Sequence, residues 1–212
     1  MKKVYLIFAI IAISLPTFAQ ENRYQEAMLS IIESLDNADG SDAYLDCASR
    51  FERIATAEKN LWMPYYYASY SLVVMSFDET DGAKKDLVLD RAQQLLDVAL
   101  EMEPKESELL TLQAFLYPSR ILVDPMSRGM EYMGLMFSSL ETAKALNPEN
   151  PRIYFLEGVN KANLPTSMGG GPEEAKPILE MAVTKFEAFQ NSDPLWPHWG
   201  EEAARAELDK LK

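Results

Sequence analysis

Three segments of this chain share one spacing: Ala92-Leu96-Ala99, Met136-Leu140-Ala143 and Ala175-Leu179-Ala182 each set apolar residues at i, i+4 and i+7. Only a helix brings those positions onto one face, so each segment predicts a helix that meets its neighbour through alanine and leucine. The first two segments also continue alike. A proline follows the last alanine by five residues (Pro104, Pro148), a bulky residue comes six later (Leu110, Tyr154) and a small one four after that (Ala114, Gly158). The last alanines are offset by 143 − 99 = 44 and 182 − 143 = 39 residues. A period of that length marks stacked helical hairpins, each burying a face that its neighbour would otherwise expose.

The rest of the chain agrees. From Asn22 onward the apolar spacing is helical, and no alternating β-branched run suggests a sheet. The reading is all-α, with helices expected near 22–36 (Met28, Ile31, Ile32 and Leu35 on one face), from Ser41 onward (Tyr44, Leu45, Phe51, Ile54), then at 61–77, 84–103, 106–117, 126–146, 151–162, 172–189 and 198–211. Asn37 to Gly40, Asp81-Gly82, Pro104, the stretch from Pro118 to Pro125, Asn147-Pro148, Gly169 to Gly171 and the stretch from Pro194 to Pro197 are the expected breaks.

On these residues the chain resembles the tetratricopeptide repeat family, in which a bulky and a small residue mark helix A, two alanines mark helix B, and a proline closes the unit. Asp90 to Pro104 and Ala143 to Pro148 look like helix B endings. The chain departs from that pattern in its longer period, in Met136, and in Gln113 and Glu157, which stand where leucine is expected. The resemblance spans roughly residues 40–190 and implies an α-solenoid of antiparallel helix pairs whose helix A residues line a concave groove. Carried over position by position, it assigns to the groove Asn60, Met63, Tyr67 and Tyr70, then Glu108, Thr111 and Phe115, then Arg152, Phe155, Val159 and Asn163. Forms of the family that clamp a peptide carboxylate use several Lys, Arg and Asn there; only Asn60, Arg152 and Asn163 answer here.

The amino terminus carries an address. Met1-Lys2-Lys3 precedes an apolar stretch from Val4, and Thr17-Phe18-Ala19 sets small residues before a cut after Ala19, the pattern of a secretory signal. Its apolar run of 16 residues is shorter than the roughly 20 that span a bilayer. The organisation expected is therefore a signal peptide over 1–19 and a single repeat domain over 20–212, exported to a periplasm or outside the cell and soluble after cleavage. A net charge of −13 repels nucleic acid and anionic membranes. One cysteine, Cys47, allows no internal disulfide and reads as a buried small residue, and one histidine, His198, rules out a multi-histidine metal site. Neither a metal nor a cofactor is expected.

No other cluster spells a reaction. His198 with Glu201 and Glu202 opens the last helix, where Trp196 and Trp199 would cap the end of the solenoid. Gly169-Gly170-Gly171-Pro172-Glu173-Glu174 has the outline of a phosphate loop, but Pro172 removes an amide donor and two glutamates sit where an anion would bind. Asp78 to Gly82 lacks EF-hand spacing and reads as a solvated loop; Glu101, Glu103, Glu106 and Glu108 read as soluble surface. The run Trp62-Met63-Pro64-Tyr65-Tyr66-Tyr67-Ala68-Ser69-Tyr70 is too wide for one buried seam, so one of its stripes faces either a groove or a neighbouring repeat. No nucleophile, base and oxyanion donors can be assembled into an active site. The leading expectation is a non-enzymatic exported scaffold binding a protein or peptide in an aromatic groove; the alternative is a small-molecule-binding module associated with a solute transporter.

Overall fold

The computed structural model describes residue 20 and residues 22–211; the export signal and its cut after Ala19 lie outside the described residues. Within them the chain is all-α, with no strand. In order the helices are α1 (22–36), α2 (Ser41–Ala57), α3 (Trp62–Asp78), α4 (Gly82–Met102), α5 (Ser107–Val123), α6 (Pro125–Leu146), α7 (Pro151–Asn163), α8 (Pro172–Ala188) and α9 (Glu201–Asp209), with a short 3₁₀ turn, Thr166–Met168, before α8. None is long and apolar enough to cross a membrane.

The repeated spacing does the packing work foreseen for it. In α6 the only buried residues are Met136, Leu140 and Ala143; in α8 they are Ala175, Leu179, Ala182 and Phe186. Ala92, Leu96 and Ala99 are completely buried in α4. Consecutive helices pack on each other, and α3 also touches α5 and α5 touches α7, so the odd-numbered helices share an inner layer. Two hydrophobic clusters result, one over α1 to α5 and one over α5 to α9, with Phe115 and Tyr117 packed against both. The residues that break the leucine pattern have partners instead. Gln113 exchanges amide hydrogen bonds with Gln93, and Glu157 pairs with Lys144.

Two boundaries differ from the expectation. α5 does not stop before Pro118 but runs through it to Val123. An interior proline costs a helix about 3 kcal/mol, and tertiary contacts just beyond it hold this one in place. Ser119 is bonded to Ser76 of α3, and Arg120 reaches Asp86 and Asp90 of α4. The helix then ends at Asp124, which caps α6 through the amide of Ser127 ahead of Pro125. α9 begins at Glu201, not 198, because Gly200 holds φ at +106°, and a Cβ there would crowd Phe186, Arg152 and Phe155.

Candidate binding site

α3 carries the aromatic run, and it is covered from several sides by α2, α4, α5 and the non-helical segment before α9. Both of its stripes are therefore occupied: Tyr66 and Tyr67 are buried, while Tyr65 and Tyr70 are half-buried. The inner layer of α3, α5 and α7 carries Tyr67, Tyr70, Phe115, Arg152 and Phe155 of the residues named above, while Asn60 lies in the turn before α3. What lies on that layer is the chain's own segment 194–200. Trp196 and Trp199 do not cap the end of the stack as the sequence implied; they lie along this inner face. The Tyr67 hydroxyl donates to the Leu195 carbonyl at 2.8 Å, and the Trp196 ring meets Trp62 edge-on at 5.8 Å. Trp199 stacks on Tyr70 at 5.2 Å and on Phe115 at 5.3 Å, with Phe155 at its edge. Phe77 extends the stack beyond Phe115, 5.4 Å away. His198 is tied to α1, its Nε2 lying 3.0 Å from both carboxylate oxygens of Asp36.

Beneath the rings runs a buried polar network centred on Glu108. That side chain is fully buried, not part of the solvated surface. Its Oε1 accepts from the Tyr66 hydroxyl and from Arg152 Nε, each at 2.7 Å, and its Oε2 accepts from Asn150 Nδ2 at 2.9 Å. The Trp199 indole N–H donates to the Tyr66 oxygen at 2.7 Å, so the last segment is bonded into the same network. The physical reason for the burial is Arg152, which stands 44 residues later in the next repeat and shares the interior as an ion pair. Burial pushes the Tyr66, Tyr67 and Tyr70 phenols well above the ordinary tyrosine range, and the Glu108 charge adds to this at Tyr66 and Tyr67. Burial works most strongly against the charge on Arg152, but Glu108 with Tyr66 and Tyr67 together hold the guanidinium above its ordinary value.

The residues assigned to the groove separate accordingly. Met63, Tyr67, Thr111, Arg152 and Phe155 are buried, Tyr70, Phe115 and Val159 are half-buried, and Asn163 is exposed, its amide turned back to the Val159 carbonyl. Tyr67, Tyr70, Phe115, Arg152 and Phe155 converge around Trp199 and Leu195, while Asn163 stands apart at the end of α7. Thr111 is spent inside the fold, donating to the Ser107 carbonyl and accepting from Asn150. Sequence reasoning missed Tyr66, Glu108 in this role, Asn150 and both tryptophans. Equal spacing was the available signal, since Tyr66 to Glu108 and Glu108 to Arg152 are 42 and 44 residues apart.

Two cavities flank segment 194–200. One, of about 200 Å³, lies among Tyr44, Tyr67, Tyr70, His198 and Trp199. The other, of about 300 Å³, has Arg152, Phe189 and Trp196 in its wall. A more open cleft of about 590 Å³ between α1 and α2, around Arg23, Tyr24, Arg50 and Arg53, shares none of the ring stack.

Among solved structures, the HusA haemophore from Porphyromonas gingivalis superimposes with a TM-score of 0.81 at 32% sequence identity, over 89% of this chain and 92% of that one. This chain belongs to the HusA family. No protein-family model and no curated protein matches it. That relative is a haemophore by its title.

Proposed function

We propose that this protein is an exported, non-enzymatic binding module that captures haem or a closely related porphyrin against the aromatic face built by α3, α5, α7 and segment 194–200. The observation that carries the reading is the likeness to a haemophore over nearly the whole of both chains. The half-buried rings of Tyr70, Phe77, Phe115 and Trp199 support it, because a flat macrocycle gains most by stacking on rigid aromatic surfaces. Tyr44 and Tyr70 beside them offer phenol oxygens to a ferric iron, while His198 keeps its Nε2 on Asp36. This is the small-molecule alternative of the sequence reading made specific in its ligand.

A protein or peptide in the same groove is the second reading. What favours it is that Tyr67 already receives a peptide carbonyl there, that of Leu195. A foreign peptide would have to displace segment 194–200.

Titration of the mature protein with haemin tests the first reading. A Soret band that grows to saturation, with parallel quenching of tryptophan fluorescence, is expected, and Phe115→Ala should weaken binding about tenfold through lost stacking. No Soret change at protein and haemin concentrations in the tens of micromolar would overturn it.

A further inference from the structure

Among the described residues, two buried N–H groups have no protein acceptor: Arg152 Nη2 and Trp196 Nε1. Both residues line the cavity of about 300 Å³ behind segment 194–200. A buried donor left without an acceptor costs about 1–3 kcal/mol, more when charged, so two on residues that line one cavity form an unusual pair. Arg152 is 1% exposed, its Nε is committed to Glu108, and its guanidinium carbon lies 5.4 Å from the Phe189 ring and 5.6 Å from that of Trp199. Held between those rings, the guanidinium cannot swing out to find water. Trp196 is fixed edge-on against Trp62.

The acidic groups of the same wall are engaged elsewhere. Asp193 accepts from the Leu195 amide and Glu201 pairs with Arg205, and Glu108, which lies outside that wall, is already occupied by three donors. The chemistry that satisfies a planar cationic donor and a neutral indole N–H together is a carboxylate, whose two oxygens accept in one plane.

We propose that the Arg152–Trp196 cavity is a carboxylate subsite, filled either by a propionate of a porphyrin bound on the adjoining aromatic face or by a free monocarboxylate. The first source rests on the haemophore reading; the second does not. Trp199 connects the two regions, with Arg152 against its ring and Tyr70 and Phe115 stacked on it.

The test follows the Trp196 indole N–H resonance by NMR, assigned with Trp196→Phe, which keeps the ring and deletes the donor. Probes are haemin, its dimethyl ester, sodium benzoate and neutral benzamide, and thermal melting checks that the variants fold. The indole signal should move with haemin or benzoate and stay still with the ester and benzamide. Trp196→Phe should weaken haemin about fivefold to tenfold, the loss of one charge-assisted hydrogen bond, and leave the ester unchanged. Arg152→Lys, which keeps the charge beside Glu108, should weaken haemin in the same sense. Haemin that binds by its Soret band without moving the indole, or a variant that loses haemin and ester equally, overturns the subsite and leaves the haemophore reading standing. An indole that answers benzoate in a protein giving no Soret change upholds the subsite with a free carboxylate and overturns the haemophore reading. An indole unmoved by every probe overturns the subsite.

Discussion

Gly158 is where α7 and α8 come closest, and one added methyl group measures how much that contact is worth. A Cβ built on Gly158 would lie 2.7 Å from Leu179 Cγ, 2.8 Å from its Cδ2 and 3.3 Å from its backbone nitrogen. Leu179 is fully buried and is the central residue of the third repeated triplet, so its side chain has nowhere to turn and its backbone resists as well. The helices must separate, and overpacking of this kind costs about 1–3 kcal/mol. Replacing a mid-helix glycine by alanine returns about 1 kcal/mol of helix propensity. The net expectation for Gly158→Ala is a loss of up to about 2 kcal/mol, or at most roughly 4–8 °C in a domain of this size. Gly134 is the matched control. It is exposed in α6 with nothing within 4 Å of an added methyl, so Gly134→Ala should gain about 0.5–1 kcal/mol with no opposing term. Urea unfolding followed by circular dichroism compares the two, and their opposite signs are the result sought. A Gly158→Ala protein as stable as Gly134→Ala would refute the claim that close helix approach explains the small residue at that place in the repeat.

Glu108→Gln leaves Arg152 charged and unpaired in the interior and should cost about 3–5 kcal/mol in urea unfolding; the double variant Glu108→Leu with Arg152→Met should cost far less than the sum of the single losses. The hydrogen bond from Arg128, with a smaller one from Arg120, holds the Asp86 carboxyl below the usual carboxylate range against the opposing effect of burial. A depressed native value means that Asp86 stabilises the fold above the ordinary carboxylate value and loses that contribution as pH falls through the native one. Asp86→Asn should therefore lower stability at pH 7 and converge with wild type in acid below the native value of the Asp86 carboxyl, measured by thermal melts across pH. Cys47 is buried and burial pushes its thiol up, so a chromogenic disulfide reagent at pH 8 should leave it untouched in the native protein and titrate it fully in denaturant.

The sequence was most informative where a pattern repeats. The i, i+4, i+7 triplets name the residues that α6 and α8 bury, and the helix ends marked by Gly40, Pro104, Asn147 and Pro172 fall within a few residues of the observed ones. The candidate site was legible by half. Tyr67, Tyr70, Phe115, Arg152 and Phe155 do share one inner face. That Glu108 is buried could not be read from its neighbours, because Glu106, Ser107 and Leu109 would suit a solvated helix start equally well. The same holds for Pro118, a breaker by every local rule, which α5 crosses because Ser119 and Arg120 find partners on α3 and α4.

Taken alone, the order of residues determines a stack of helical hairpins, since a period near 44 residues sets like positions side by side: Ser76 meets Ser119, Ser107 meets Asn150 and Glu108 meets Arg152. Local periodicity suffices for that, because each helix needs only an apolar stripe and a neighbour of the same pitch. Tertiary structure decided what covers the inner face. Segment 194–200 has no period to read, and its place depends on Tyr67, Tyr66 and Asp36, which lie 128, 133 and 162 residues away from their partners Leu195, Trp199 and His198. Contacts at such separations leave no trace in local spacing, and only the folded chain brings their groups within reach of one another.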